Sequence, residues 1–431
     1  MHAVSDFELI LATACDMHGV ARGRFVFREG LEGAFNNGLG IAQAALFCGM
    51  LCDIPMGLTD YSEGGWPNGS IVPALATLRP MSWLSYGDQK VGHVLCDLLD
   101  QSREPEESSS REITIRQLKV LDGLGYQIWT SLDLSFTIFP KGSLEPVALH
   151  EDTSKLVHAL TQAFSDSSLP LVSIGRGLEP GQLLISLGEM QGVEAADCLH
   201  WLHCALKLLC VKEGYDVTRM TRPLSGISGN VSSYTVRLTT ENHRNAFGDS
   251  SSSNDLSAVA RHWIAGLVQH GPAVTALARP TLNCYTGPEN SNDLLNSWTT
   301  DARDRNHRLQ VQTSSSGVSV SDRLPSAASN PYIAFGAIVA AGVDGIVKNL
   351  ELDAKTSSVL DSQLKIPRTF SEAVVSLEQD KVFQNLIGPK FVQRFFILKK
   401  DYEVARLEKL LAENDGKDIM ELERSIYLTS L

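Results

Sequence analysis

The strongest pattern of apolar and polar positions lies in the second half of the chain. Apolar residues recur at helical spacing, so that they share one wide face of a predicted helix, at 256, 259, 260, 263, 264, 267 and 268. The preceding stretch GDSSSSND (248–255) predicts a solvated loop that caps this helix. The alternative, a loop that is phosphorylated and then binds a partner, remains open.

Two more helices are predicted towards the end of the chain. The stretch NPYIAFGAIVAAGVDGI (330–346) is almost wholly apolar, which predicts a buried helix too short for the roughly 20 residues that span a bilayer. In KFVQRFFILKKDYEVARLEKLL (390–411) one apolar stripe is surrounded by Lys and Glu, and its members are Phe391, Phe395, Leu398, Tyr402 and Ala405.

The first hundred residues favour short strands separated by turns, as in GRFVF, SIVPALATL and GHVLCDLLD. The polar run 100–112 (DQSREPEESSSRE) then predicts a solvated loop or a domain junction. Behind it we expect a helix capped by Ser110 and ended by Gly125, followed by a strand over 126–139. The predicted organisation is α+β, with a small β-rich domain (1–104) and a large domain (105–431).

Composition narrows the function class. The 431 residues are 43% hydrophobic and carry a formal net charge of −13, which predicts a folded protein and disfavours nucleic acids or an anionic membrane as partners. The eight cysteines are scattered among apolar runs, as is typical of reduced, buried thiols in a cytoplasmic protein. The N-terminus lacks the basic region of a signal peptide.

The stretch GISGNVSSYTVRL (226–238) raises the question of a site. On a strand, Ser233, Thr235 and Arg237 share one face, and the same rule places Asp133 and Ser135 of LDLSF together. Such a site would present one carboxylate, three hydroxyls and a cation.

At this stretch the chain resembles the glutamine synthetase family. PLSGISGNVSSYTVRL is similar to the family's strand PxxGxxGSGMHxHxSL, and other segments follow in the family's order, among them DMHGVARGRFV, LEPGQLLISL and RLPSAASNPYIAFGAIVAAGVDGI. The resemblance implies a β-grasp-like N-terminal domain and a large catalytic-type domain with a curved antiparallel sheet and surrounding helices. It also implies a ring-shaped homo-oligomer, with stacked hexamers as one arrangement.

The family's reaction, an ATP-dependent ligation of ammonia to glutamate, requires divalent metal ions held mainly by carboxylates. The positions that correspond to its metal ligands are Asp133, Ser135, Gly177, Leu184, Ser233, Thr235 and Ser321. Only Asp133 has an ionisable side chain, so we expect no metal, no cofactor and no catalytic residue. The family's substrate-binding arginine in YKRL corresponds to Gly287 of YTGP.

The resemblance therefore implies a pseudoenzyme. Within the family the chain most resembles a catalytically inactive member of the vertebrate lens, which implies a structural or chaperone-like role with intermediate filaments. The alternative is an ATP-dependent glutamate–ammonia or γ-glutamyl–amine ligase whose metals are held from new positions, such as Glu179 or Asp322.

A vestigial anion or nucleotide pocket is a third hypothesis. Its candidate residues are Arg303, Arg308 and Arg323, because an arginine fork matches phosphate geometry. The competing interpretation is that these arginines form ion pairs with Asp301, Asp304 or Asp322.

Other candidate groups have simpler explanations. A zinc site at His200, His203 and Cys204 competes with a buried helix whose histidines are structural. Asp16 and His18 either face a neighbouring subunit's pocket or stabilise a turn. For Cys15 and Cys284, a place in the core is favoured over a nucleophilic role.

Overall fold

The first hundred residues form a six-stranded sheet in the computed structural model of the chain. The structure describes residues 3–55, 57–58, 65, 67–148, 151–226, 229–249, 256–286, 294–352, 365–413, 419–428 and 430–431. The strands are β1 (Leu9–Cys15), β2 (Ala21–Phe27), β3 (Leu39–Ala42), β4 (Asn68–Pro73), β5 (Arg79–Pro80) and β6 (Val91–Leu99). Their order is β2-β1-β6-β4-β3, with β5 also paired to β6. Helix α1 (Arg28–Asn37) buries Leu31 and Ala34 in the core that this sheet shares.

The second sheet has eight strands and positions the candidate site. They are β7 (Tyr126–Pro140), β8 (Leu171–Arg176), β9 (Gln182–Gln191), β10 (Tyr215–Thr218), β11 (Ser232–Thr240), β12 (Leu295–Thr299), β13 (His307–Ser314) and β14 (Gly317–Asp322). Their order is β12-β13-β14-β11-β7-β9-β8, and β10 pairs with β7. The two sheets and the helices around them confirm the predicted α+β architecture, and the strand predicted over 126–139 is β7.

Helices surround the second sheet and fill the core. They are α2 (Ser110–Gly123), α3 (Ser154–Asp166), α4 (Glu194–Lys212), α5 (Ala258–Gln269), α6 (Gly271–Ala278), α7 (Pro331–Lys348), α8 (Phe370–Gln379), α9 (Lys381–Ile387), α10 (Pro389–Phe396), α11 (Ala405–Glu413) and α12 (Ile419–Tyr427), with a π-helical segment at Ile397–Val404. Short 3₁₀ turns lie at Val4–Asp6, Gln43–Leu46, Leu75–Thr77, Ser82–Leu84 and Leu282–Cys284.

Helix α7 confirms the prediction of a buried apolar helix. By length and composition it could cross a membrane, but 83% of it is buried inside the protein, which accounts for its apolar residues. It crosses α5 at very short range, because a Cβ on Gly266 would lie 2.1 Å from the carbonyl oxygen of Ala341. Next to this crossing the buried His270 bonds Asp344 (2.9 Å) and Asp380 (2.6 Å), which ties α7 to the loop before α9.

The predicted helix starts are partly corrected by the structure. Helix α5 is capped by Ser257, whose Oγ accepts a hydrogen bond from the Ala260 amide, while residues 250–255 of the predicted capping loop lie outside the described residues. Helix α2 is not capped by Ser110, because that residue is already helical and its Oγ donates to the Asp16 carbonyl. Gly125 adopts the predicted left-handed conformation, with φ of +82°.

The polar run 100–112 is not solvated throughout. Glu106 is only 3% exposed and lies 3.1 Å from Arg394 and 2.9 Å from Lys390, both on α10. The Arg394 guanidinium also lies over the Phe47 ring. These ion pairs therefore connect the segment between the two sheets to the C-terminal helix α10.

Candidate functional site

A cavity of about 630 Å³ lies over the eight-stranded sheet. Strands β7, β9, β11, β13 and β14 supply its floor, and the segments after α6 and β12 supply its wall. Its polar and charged lining residues are Asp133, Ser186, Ser232, Ser233, Arg279, Arg305, Asn306, Gln310, Gln312, Ser321 and Arg323.

Strand register brings hydroxyl groups together on the cavity floor. Thr235 on β11 faces Ser321 on β14, so the Ser321 Oγ lies 2.8 Å from the Thr235 Oγ1 and 3.1 Å from the Ser233 Oγ. Asp133 on β7 faces Ser186 on β9, and its Oδ1 accepts a hydrogen bond from the Ser186 Oγ at 2.6 Å. The Ser321 hydroxyl is therefore within hydrogen-bonding distance of the Ser233 and Thr235 hydroxyls, and the Ser186 hydroxyl bonds to the Asp133 carboxylate.

The other expected metal-ligand positions carry no metal-binding group into the cavity. Ser135 is fully buried, and its Oγ accepts a hydrogen bond from the Val231 amide at 2.9 Å. Leu184 lines the cavity with an apolar side chain. A Cβ at Gly177 would lie 2.1 Å from the Gln182 Oε1, so any side chain there would displace Gln182.

Two of the three arginines proposed from the sequence do not line this cavity. Arg303 points into solvent, with 91% of its side chain exposed, and pairs with Asp301 at 3.2 Å. Arg308 is fully buried, and its guanidinium donates to both carboxylate oxygens of Asp322 at 2.9 and 2.5 Å. Both therefore form ion pairs, as the competing interpretation predicts for them.

The cavity has three arginines, of which only Arg323 was proposed from the sequence. Arg323 donates to the Gln310 Oε1 on the neighbouring strand. Arg279 follows α6 directly, its Nε donates to the Leu324 carbonyl, and its Nη1 is buried without a hydrogen-bond partner. Arg279 could have been found in the sequence as the charged residue that follows the apolar segment GPAVTALA, which is wholly buried in the structure. Arg305 could have been considered together with Arg303 and Arg308, because all three lie in the short segment ARDRNHR.

The cavity is electropositive. Among the described residues that line it, three guanidinium groups face the single carboxylate of Asp133, which gives these residues a net charge of +2. Within the described part of the chain, no carboxylate lies at ion-pair distance from Arg279, Arg305 or Arg323. Burial lowers the pKa of Arg279, and burial together with the nearby Arg305 lowers the pKa of Arg323. The main cause of both shifts is burial, because a guanidinium that is removed from water loses part of its hydration.

This donor set does not fit the divalent ions that the resemblance implies. The family's ions are held mainly by carboxylates, whereas the described lining of the cavity offers one carboxylate, neutral hydroxyls and amides, and three cations. In the described ranges, no three His, Cys, Asp or Glu side chains are grouped so that they could hold a metal ion. The two residues considered from the sequence as replacement metal ligands, Glu179 and Asp322, do not add a metal ligand to the cavity. Asp322 is bound to Arg308, and Glu179 lines a different, smaller cavity beside Gln182.

The remaining candidates are mostly buried. His200 and His203 lie on α4 with 1% and 5% exposure, and burial lowers the pKa of His200 to about 3. Cys204 is partly exposed on the same helix, and burial of its thiol raises its pKa to about 11. Cys15 is buried, and its pKa is raised well above the usual range by burial. These groups therefore favour neutral, structural forms.

Asp16 stabilises its own turn. It is fully buried, its carboxylate accepts hydrogen bonds from the amides of His18 (2.8 Å) and Val20 (2.9 Å), and it pairs with Arg22 at 2.8 Å. Cys284, the other thiol considered, is buried beside the Thr221 and Thr281 hydroxyls. Gly287 lies outside the described residues.

Comparison with known proteins points to one family. The model of the glutamine synthetase catalytic domain matches residues 107–417. Lengsin of Canis lupus familiaris is 24% identical over 94% of this chain and 72% of its own length. The glutamate–methylamine ligase of Methyloversatilis universalis is 26% identical over 91% of each chain. A crystal structure described as a novel glutamine synthase homolog superposes with a TM-score of 0.84 at 18% identity, covering 99% of this chain and 100% of that one.

Proposed function

Because the chain belongs to the glutamine synthetase family, we propose that it is a non-catalytic member, a pseudoenzyme that keeps the fold without the family's ligation chemistry. The observation that carries this proposal is the charge of the described cavity lining, where three arginines and one carboxylate lie around a cluster of mutually bonded hydroxyls. We also propose the division of the chain into an N-terminal domain (1–104) and a catalytic-type domain (105–431).

Electrostatics supports the absence of metal-dependent catalysis. A divalent cation entering the cavity would lose part of its hydration shell and gain one carboxylate, while three guanidinium groups repel it. Removal of a single ligand already weakens metal sites strongly, and here six of the seven expected positions have no ionisable side chain. Ser321 cannot substitute for a carboxylate, because its hydroxyl is neutral and already lies within hydrogen-bonding distance of Ser233 and Thr235.

For the cellular role we propose a structural or chaperone-like protein of the cytoplasm that acts with intermediate filaments. This proposal rests on the resemblance to the inactive lens member of the family. It is tested by cosedimentation of the purified protein with assembled intermediate filaments, where a protein that stays in the supernatant would contradict it.

We further propose a ring-shaped homo-oligomer, since members of this family are generally oligomeric. The edge strand β2 supports an interface, because Phe25 and Phe27 are 47% and 67% exposed on it. Light scattering coupled to gel filtration measures the assembly directly, and a monomer at micromolar concentration would contradict this proposal.

The alternative function is an ATP-dependent ligase that couples ammonia or an amine to glutamate. It is favoured by the similarity to glutamate–methylamine ligase, which is comparable to the similarity to lengsin. The donor set of the cavity argues against it, since a ligase of this family would need metal-binding oxygens that the described cavity does not offer.

The deciding experiment measures the melting temperature with MnCl₂ and ATP, each alone and both together. A ligand that prefers the folded state raises the melting temperature by mass action. We expect the same melting temperature with ATP plus Mn²⁺ as with ATP alone. We also expect no release of phosphate that depends on ammonia or methylamine. The Methyloversatilis universalis ligase, treated in parallel, is the positive control. A rise that needs Mn²⁺ and ATP together, accompanied by phosphate release, would overturn the pseudoenzyme proposal.

A further inference from the structure

Arg219 is a buried cation without a carboxylate partner. It directly follows β10 and is only 3% exposed. Its Nη1 donates to the Ala327 carbonyl at 3.1 Å, whereas its Nε has no hydrogen-bond partner. Among the described residues no carboxylate lies at ion-pair distance from it, and the nearby Asp16 pairs instead with Arg22 at 2.8 Å. Burial lowers the pKa of Arg219 to about 10, since a buried charge is costly unless an opposite charge accompanies it.

Two other buried donors without partners lie close to this guanidinium. They are the Tyr234 hydroxyl on β11 and the His203 Nδ1 on α4, whose side chains belong to residues that are 0% and 5% exposed. Burial and then the charge of Arg219 lower the pKa of His203, and the same charge opposes the burial that raises the pKa of Tyr234. At neutral pH the phenol is therefore protonated and the imidazole neutral, so each can donate one hydrogen bond.

A second positive charge lies one helical turn further along α4. The Lys207 Nζ donates to the Ser430 carbonyl at 2.8 Å. Burial, and after it the charge of Arg219, lower the pKa of Lys207 to about 8, so this side chain remains mostly charged at neutral pH. A water molecule beside these groups would neutralise neither charge, and it would need acceptors for its own hydrogen atoms. Donors and charges together favour an anion.

We propose that Arg219, Tyr234 and His203 bind a small inorganic anion of the halide class inside the protein. The anion accepts hydrogen bonds from the Arg219 Nε, the Tyr234 hydroxyl and the His203 Nδ1. It thereby neutralises a buried charge and satisfies three donors whose burial without partners would destabilise the fold. All three side chains are closed off from solvent, which favours a monatomic ion over an organic anion.

This site is separate from the cavity over the eight-stranded sheet. Tyr234 lies on the face of β11 opposite to Ser233 and Thr235, because alternate residues of a strand point to opposite faces. None of the three proposed anion ligands lines that cavity. The anion connects α4, β11 and the segment after β10, so its role is to stabilise the fold. The inference therefore does not depend on whether the protein is catalytic.

The first test compares the melting temperature of the full chain in sodium chloride and in sodium gluconate at equal ionic strength. For a dissociation constant of about 1–10 mM, about 150 mM chloride should raise the melting temperature by about 2–3 °C relative to gluconate. The rise should grow with the logarithm of the chloride concentration, as mass action requires. Equal melting temperatures in the two salts would overturn the proposal.

A conservative variant and a matched control separate the site from a general effect of salt. Tyr234→Phe removes one donor and keeps the ring, so it should reduce the chloride-dependent rise by about half or more. Tyr86→Phe makes the same change on a residue that is 86% exposed, and it should keep the full rise. An equal rise in both variants would contradict the assignment of Tyr234 as an anion ligand.

The second test locates the ion and needs no variant. Crystals of the unmodified protein grown in sodium bromide should show an anomalous difference peak at the bromine edge within about 3.5 Å of the Arg219 Nε. Density without an anomalous signal at this position would identify a water molecule and overturn the proposal. Either negative result would leave the pseudoenzyme proposal unchanged, because that proposal concerns the opposite face of the sheet.

Discussion

Replacement of Arg308 by Met should strongly destabilise the fold. The guanidinium is fully buried and bonds both oxygens of Asp322, which is itself 1% exposed. Its Nη1 also donates to the Leu267 carbonyl at 2.7 Å and to the Asn296 Oδ1 at 3.3 Å. Arg308→Met therefore leaves a buried carboxylate without its counter-charge and two buried acceptors without their donor.

The expected cost is about 3–5 kcal/mol, the usual penalty for breaking a buried ion pair by removing one partner. An unfolding entropy of about 2.1 cal/mol/K per residue gives roughly 0.9 kcal/mol/K for a cooperative unit of 431 residues. The melting temperature should therefore fall by about 3–6 °C. Differential scanning calorimetry measures this shift.

Two further variants make the measurement decisive. Arg303→Met removes an arginine that also pairs with an aspartate but is 91% exposed, so it should cost less than about 0.5 kcal/mol. The double change Arg308→Met with Asp322→Asn removes both buried charges and should recover at least half of the loss. Equal shifts for Arg308→Met and Arg303→Met would refute the reasoning, because burial would then not determine the cost.

Four other changes test the packing and capping of the helices. Because hydrogen bonds to two carboxylates raise the pKa of His270 despite its burial, the protonated form contributes stability below about pH 6.5, and this contribution is lost as the pH rises through the raised value. The melting temperature difference between the protein and His270→Gln should thus shrink with rising pH, and a growing difference would contradict the assignment. Gly266→Ala should cost about 1–3 kcal/mol because its Cβ would lie 2.1 Å from the Ala341 oxygen. Gly33→Ala, with nothing within 4 Å, should be neutral or stabilising in the same thermal assay. Ser257→Ala removes the α5 cap and should cost about 1 kcal/mol by denaturant titration, with an unchanged midpoint as the contradicting result.

Local patterns predicted the main elements of the fold correctly. The apolar segment 330–346 is the buried α7, the alternating segment 126–139 is β7, and Gly125 has the positive φ that ends α2. These features depend on residues only a few positions apart, so their cause is present in the sequence itself. The order of motifs also sufficed for the family, which the match over residues 107–417 confirms.

One local prediction was wrong and another was right only in part, because distant residues decided the outcome. Ser110 was expected to cap α2, but its hydroxyl donates to the Asp16 carbonyl, 94 positions away. The polar run 100–112 was predicted to be a solvated loop or a domain junction. Residues 101–105 are exposed, but Glu106 is buried against Arg394, 288 positions away. A charged side chain can be buried when the fold places an opposite charge beside it. The local sequence pattern does not show where in the chain that opposite charge lies.

The residue types at the seven expected metal positions, and with them the single carboxylate among these positions, can be read from the amino-acid sequence alone. Which arginines face the cavity depends instead on how the chain folds. Arg303 and Arg308 belong to one motif, yet the first lies in solvent and the second inside the core. Arg279 and Arg305 share no motif with each other but line the same cavity, because the strand order places β14 and β13 beside the segment after α6. The charge of a site is a sum over neighbours in space, and chain topology determines those neighbours.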